Sequence, residues 1–102
     1  MNNKMKTAFS ALAENEAFAR SAAAAFVMPL DPTVEELTEI KTAVSEAVSN
    51  SVIHGYAGWE DRAQAMVEME CEINENGRVT IIVRDHGRGI DNVEKAMQPL
   101  FS

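Results

Sequence analysis

Apolar and polar residues alternate along two stretches in the second half of the chain. Three glutamates alternate with apolar residues from Val67 to Ile73, and a second alternating stretch runs from Arg78 to Asp85. A period of two predicts strands with one buried face and one solvated face. The turn Asn74–Gly77 between them ends in Asn-Gly, a strong hairpin signal. A weaker alternation predicts another strand from Lys4 to Ser10.

Two segments in the first half have the spacing of amphipathic helices. The first runs from Asn15 to Met28, and its predicted apolar stripe consists of Phe18, Ala22, Ala25 and Phe26. The second is predicted to begin with Asp31 as N-cap and Pro32 at the first helical position, and to end at His54 or Gly55. Its predicted apolar side consists of Leu37, Lys41, Val44 and Val48, flanked by Ile40, Ala47 and Ser51.

The order of these elements predicts an α+β fold, a two-layer sandwich with both helices on one face of the sheet. A loop is expected from Tyr56 to Arg62. Asp91 and Glu94 resemble a capping pair that opens a short helix, and this helix is predicted to end at Pro99. With 102 residues, the chain is expected to form a single domain over 1–102.

Composition narrows the possible partners. The net charge of −7 disfavours direct binding to nucleic acid or to an anionic membrane. No apolar run reaches the roughly 18 residues that a membrane-spanning helix needs. A single cysteine, Cys71, cannot form an internal disulfide, which suits a cytoplasmic location. Nucleotide binding stays possible, because backbone N–H groups and a metal can hold phosphates.

Asp85 is the first candidate for chemistry. It shares the parity of Val83, so its carboxylate is predicted to face the core, where a buried charge needs a partner or a ligand. Gly87 and Gly89 follow, and glycine permits another group to approach the backbone closely. A strand end with an ordinary turn explains the same residues, so both interpretations stay open.

Glu46 and Asn50 form a second candidate site on the long helix. They are four residues apart, so they lie side by side, on the side opposite Val44 and Val48. A carboxylate can act as a general base, and an amide oxygen is a suitable ligand for Mg²⁺. A solvated helix face is the alternative interpretation of this pair.

The two candidate sites together resemble a known superfamily. Glu46-Ala-Val-Ser-Asn50, followed by His54-Gly-Tyr56, resembles the N box of the GHKL ATPases, and Asp85-His-Gly-Arg-Gly89 resembles their G1 box. Leu37 to Asn50 and the later Gln98-Pro-Leu-Phe101 are similar to the anti-sigma F factors of spore-forming bacteria. The resemblance covers nearly the whole chain and implies the Bergerat, or histidine-kinase-like ATPase, fold.

The resemblance implies a role for each candidate residue. Glu46 would be the catalytic base that takes the proton from a protein serine, and Asn50 would ligate the Mg²⁺ that bridges the phosphates of ATP. Asp85 would accept a hydrogen bond from the adenine amino group, and Gly87 and Gly89 would turn the backbone beside the nucleotide. The implied activity is that of an ATP-dependent serine kinase.

The resemblance also implies protein partners. Members of the family inhibit a sporulation sigma factor and phosphorylate an anti-anti-sigma protein, and a homodimer is expected. Arg20 is predicted to lie on the partner-binding surface, although an ordinary exposed arginine is the alternative. The family domain continues beyond Phe101 with a second glycine-rich segment, the G2 box. The 102 residues alone are therefore expected to bind ATP weakly or not at all and to be inactive.

Three other functions remain. One is the related kinase that controls a general stress sigma factor, and another is a non-catalytic module that only binds a partner. The third is the ATPase domain of a histidine kinase, which is disfavoured because no helix with a phospho-acceptor histidine precedes the N box.

Overall fold

The computed structural model describes residues 2–55, 58, 60, 64–85 and 92–96, with residues 55 and 92–96 as backbone only. The elements in chain order are β1 (Asn3–Ser10), α1 (Asn15–Val27), a 3₁₀ turn (Met28–Leu30), α2 (Val34–Asn50), a π-helical turn (Ser51–Gly55), β2 (Met66–Ile73), β3 (Val79–Asp85) and β4 (Asn92–Ala96). The strands form one antiparallel sheet in the order β1-β2-β3-β4.

The two predicted hairpin strands are confirmed. Alternate residues of β2 and β3 are buried, and Cys71 lies opposite Ile81 in the register. The turn is fixed by Asn74, whose side-chain oxygen accepts hydrogen bonds from the N–H groups of residues 76 and 78, both at 2.9 Å. Gly77 has a φ of 77°, which glycine adopts without steric cost.

Both helices cover the same face of the sheet, so the predicted two-layer α+β sandwich is confirmed. The helices pack on each other, and α1 contacts β2 while α2 contacts β3. The side chains that are large and fully buried between the layers include Ile40, Val44, Met69, Ile73 and Ile81. Burial raises the pKa of the Cys71 thiol in this core to about 11.

The other face of the sheet is polar. Where its side chains are described, this face carries three cross-strand ion pairs, which are Lys4–Glu72, Lys6–Glu68 and Arg84–Glu70. The hydrogen bond from Arg84 holds the pKa of the Glu70 carboxyl below its usual value. This face is thus solvated, as the alternation of glutamates predicts.

The apolar stripe of α1 differs from the prediction by about one residue. The buried residues are Ala19, Ala23 and Val27, whereas Phe18 is 51% exposed. Alanines face the interior because they let α1 approach its neighbours closely, and a larger side chain would hold the helix away. Phe18 instead packs edge-on against Phe9, with ring centroids 6.0 Å apart.

The start of α2 also differs from the prediction. Thr33, not Asp31, is the N-cap, and Thr33 and Glu36 form a capping box in which each side chain accepts the other residue's backbone N–H. This box satisfies two N–H groups that Asp31 cannot reach. Asp31 has a φ of 53° and closes the preceding 3₁₀ turn. The helical winding ends at Gly55, as predicted, but changes from α to π after Asn50.

The prediction that Asp91 and Glu94 open a short helix is wrong. Residues 92–96 form β4, which pairs with β3 so that Val93 lies opposite Val83. Pairing satisfies the outer backbone groups of β3, and this outweighs the weak tendency of a short segment to form a helix. The predicted end of that helix at Pro99 lies outside the described residues, as does most of the predicted loop Tyr56–Arg62.

Candidate functional site

Glu46 and Asn50 lie where the helical spacing predicts. Both are exposed, while Val44, Ala47 and Val48 on the other side of α2 are buried in the core. The core therefore fixes the rotation of α2 and turns the carboxylate and the amide away from the sheet.

These two side chains share a polar depression of about 380 Å³ with groups from both helices. Its lining consists of Glu16, Ser45, Glu46, Ser49 and Asn50. Carboxylate and amide oxygens suit Mg²⁺, which binds few protein ligands and keeps waters or phosphates in its other positions. Among the described residues, no group of three or more His, Cys, Asp or Glu side chains is arranged so that it could hold a metal ion. The carboxylate and the amide of this depression thus fit a magnesium ion that is shared with a phosphate.

Arg20 links the two helices at the edge of this depression. Its Nη1 donates to Glu16 Oε1 and to Ser45 Oγ, each at 3.2 Å. The side chain is 38% exposed, so it is less exposed than the sequence predicts. A neighbouring depression of about 310 Å³ is lined by Arg20, Thr38, Lys41, Thr42, Ser45 and Glu46. Two cations therefore lie near the predicted base.

Asp85 is the last residue of β3, and its side chain faces the helices, as its parity predicts. It is 4% exposed and pairs in the register with Val67. A buried carboxylate needs a hydrogen-bonding partner or a ligand, so the burial of Asp85 is compatible with the predicted role.

Glu46 lines one depression with Asn50 and a neighbouring one with Arg20, and Asp85 is not among the residues that line either of them. Gly87 and Gly89 lie outside the described residues. The pocket that would join the adenine-binding carboxylate to the metal ligand stays a prediction.

Sequence reasoning missed three contributors to this region. Glu16 and Ser45 hold Arg20, and only the i,i+4 spacing of Glu16 and Arg20 could have indicated the first contact. Ser51 was predicted only as a flank of the apolar side. It is buried, and its Oγ has no hydrogen-bond partner among the described residues.

Comparison with known proteins gives the family. Residues 9–102 match the family described as a histidine kinase-like ATPase domain. The protein named anti-sigma F factor in Clostridium beijerinckii is 56% identical over 101 residues, which are 99% of this chain and 68% of that protein. The protein of the same name in Clostridium novyi is 55% identical over 98% of this chain and 67% of its own length.

A relative from another genus has the same name and a similar identity. The anti-sigma F factor of Priestia megaterium is 51% identical over all 102 residues, which cover 67% of its length. No helix in the described part of the chain is long and apolar enough to span a membrane. At these identities and coverages, the chain belongs to the histidine kinase-like ATPase family and, within it, to the group of the anti-sigma F factors.

Proposed function

We propose that this chain inhibits a sporulation sigma factor and carries the catalytic part of a kinase that phosphorylates an anti-anti-sigma protein on serine. The observation that supports this best is the pair Glu46 and Asn50, adjacent on the exposed side of α2 in a polar depression. The names of the relatives support the sporulation member over the kinase of the general stress response.

Glu46 is the proposed general base. Its carboxylate is exposed, and it makes no ion pair among the described residues, so it can accept a proton from an incoming serine hydroxyl. Proton transfer to a positioned carboxylate makes the serine oxygen a better nucleophile as it attacks the terminal phosphate.

Asn50, one turn further along α2, would hold Mg²⁺ through its side-chain carbonyl oxygen. A bound Mg²⁺ neutralises phosphate charge and orients the terminal phosphate of ATP. Asp85 would accept a hydrogen bond from the adenine amino group, and its burial suits a group that binds the base away from water. Gly87 and Gly89 would let the backbone pass close to the nucleotide.

Arg20 is the proposed contact for the protein partners. Its Nη1 is held by Glu16 and Ser45, yet more than a third of the side chain remains exposed. A guanidinium has five N–H donors, so donors remain for a carboxylate of the sigma factor or the anti-anti-sigma protein. A homodimer stays a prediction, and so does a cytoplasmic location.

Substitution of Glu46 tests the proposal. The proteins are made from the complete reading frame that contains these residues, because the 102 residues alone are expected to bind ATP weakly. With ATP, Mg²⁺ and the anti-anti-sigma protein of the same organism, Glu46→Ala is expected to lower phosphotransfer by roughly a hundredfold or more. Binding of the sigma factor should persist. Glu39→Ala is the matched control, because Glu39 is also an exposed glutamate of α2.

Two outcomes would contradict the proposal. Equal phosphotransfer by the Glu46→Ala and control variants would exclude Glu46 as the base. Sigma-factor binding without any phosphotransfer by the unsubstituted protein would instead support the non-catalytic binding module.

A further inference from the structure

Lys41 is a cation of α2 that the proposed function does not use. The sequence predicts it on the apolar side of this helix, but its side chain is exposed. It makes no ion pair within the described part of the chain. The residues three and four positions away on α2, which are its nearest neighbours on the helix, are Leu37, Thr38, Val44 and Ser45, and none of them is acidic. The ammonium group of Lys41 is therefore available to an anion from another molecule.

Lys41 lines the same depression as the proposed base. This depression of about 310 Å³ contains Arg20 from α1 together with Lys41 and Glu46 from α2. The guanidinium of Arg20 already binds the Glu16 carboxylate of its own helix, whereas Lys41 has no such neighbour. A substrate that reaches Glu46 through this depression therefore passes a cation whose charge is not compensated by a contact within the described chain.

The spacing of Lys41 and Glu46 sets the length of chain that can contact both. They are five residues apart on α2, so a rise of about 7.5 Å separates them along the helix axis, and they point in different directions around it. An extended peptide advances about 3.3 to 3.6 Å per residue. About three residues of a bound segment therefore cover this separation.

The chemistry of the two ends differs. Glu46 needs a neutral hydroxyl group from which it can take a proton, and a negative group at the same place would be repelled. An ammonium group has three N–H donors and no acceptor, so it suits a carboxylate. A segment with a serine at one end and an acidic side chain at the other is thus complementary to this part of α2.

We infer that Lys41 selects the protein substrate of the proposed kinase by binding a carboxylate that lies within about three residues of the phosphorylated serine. This inference rests on the proposed function. A lysine or arginine at the same place in another protein would meet Lys41 with a like charge, so the same contact also excludes wrong substrates. Arg20 borders the depression and adds to the attraction of the acidic side chain.

Steady-state phosphotransfer by protein from the complete reading frame tests this inference, with the anti-anti-sigma protein of the same organism as substrate. Lys41→Gln is expected to raise the KM for the protein substrate by about two- to fivefold, the effect of one exposed charge pair. The KM for ATP should not change, because Lys41 and Asn50 line different depressions. Added salt should reduce the difference between the two kinases, since it screens exposed charges.

Variants of the substrate make the test specific. Each Asp or Glu within three residues of the phosphorylated serine is replaced in turn by Asn or Gln. With the substrate that has lost the bound carboxylate, Lys41→Gln and the unsubstituted kinase should have equal KM values, because no charge is left for Lys41 to bind. Lys41→Glu should prefer a substrate with lysine at that position, a reversal that misfolding of the kinase cannot produce.

Lys4→Gln is the matched control, because Lys4 is an exposed lysine on the face of the sheet opposite the helices. An unchanged KM in Lys41→Gln, or an equal rise for all substrate variants, would overturn the inference and leave the proposed function standing. A phosphorylated serine with no acidic residue within three positions would do the same. No phosphotransfer by the unsubstituted protein would overturn the proposed function and this inference with it.

Discussion

Arg20 on α1 donates a hydrogen bond to Ser45 on α2, with 3.2 Å between Nη1 and Oγ. The contact joins two helices and holds the guanidinium at the edge of the depression that contains Glu46. A residue that is held by its own protein on one side and exposed on the other is well placed to meet a partner.

Loss of Arg20 is expected to weaken partner binding. Arg20→Ala should lower the affinity for the sigma factor by at least about tenfold, because a pre-positioned guanidinium at an interface is a frequent hot spot. The stability loss should stay below about 1 kcal/mol, since its ion pair with Glu16 is partly exposed. Calorimetric titration measures the first quantity and urea unfolding the second.

Arg78→Ala is the matched control for the Arg20 substitution. Arg78 is an exposed arginine in the turn before β3, on a different element. Equal sigma-factor affinity in the Arg20→Ala and Arg78→Ala proteins would remove Arg20 from the proposed interface.

Substitution of Asn50 should change the magnesium requirement of phosphotransfer. Asn50→Ala removes the amide oxygen and should raise the Mg²⁺ concentration at half-maximal rate by at least about tenfold, a loss that even groups outside the coordination sphere cause. Asn50→Asp keeps an oxygen at this position and adds a negative charge. The Mg²⁺ concentration that this variant needs for its half-maximal rate should therefore rise less. An unaltered Mg²⁺ dependence in Asn50→Ala would show that another group holds the metal.

The capping box at the start of α2 is expected to contribute measurably to stability. Thr33→Ala should lower the free energy of unfolding by about 1 kcal/mol, because it leaves the N–H of Glu36 without its acceptor. Thr38→Ala is the control, since the Thr38 hydroxyl bonds only to the Val34 carbonyl within the same helix. Equal destabilisation by the two substitutions, measured by urea unfolding, would argue against the cap.

Much of this architecture follows from local periodicity. Strands β2 and β3 could be predicted because each has one buried and one solvated face. Apolar and polar residues therefore alternate along them with a period of two. The inward direction of Asp85 follows from the same parity. The exposure of Glu46 and Asn50 followed because bulky Val44 and Val48 mark the opposite side of α2.

Other features depend on contacts that no local pattern contains. Residues 22–25 of α1 are all alanine, so this part of the helix has no alternation of apolar and polar residues. The sequence therefore does not show which of these alanines are buried. Strand β4 forms through pairing with β3, which a local capping signal cannot reveal. Asp31 and Thr33 are both good N-caps, and only the reciprocal bond with Glu36 decides between them.

The ion pair between Arg84 and Glu70 should make stability depend on pH. The pKa of Glu70 is lowered in the folded state from its ordinary 4.5. Its contribution is therefore complete above that ordinary value and is lost as the pH falls through the lower, folded-state pKa. Arg84→Gln should remove this contribution. The variant should therefore have a lower free energy of unfolding at pH 7, and this free energy should decrease less steeply as the pH falls.

Lys4→Gln is the charge-matched control for Arg84→Gln. It removes the same charge from the same face of the sheet, but the Lys4–Glu72 pair spans 3.9 Å and the Lys4 side chain is 77% exposed. Urea unfolding from pH 7 to pH 3 compares the proteins. Identical pH profiles for the two variants would rule out a specific role for Arg84.

The pairing of β1 with β2 determines when the protein can fold during synthesis. Asn3 lies opposite Ile73 and Ser10 opposite Met66, so the intervening helices leave the ribosome before the first strand has its neighbour. The nascent chain must therefore carry an unpaired strand and half-covered helices until residues 66–73 emerge. Such long-range pairing slows folding and leaves apolar surface of the helices exposed to other chains during this interval.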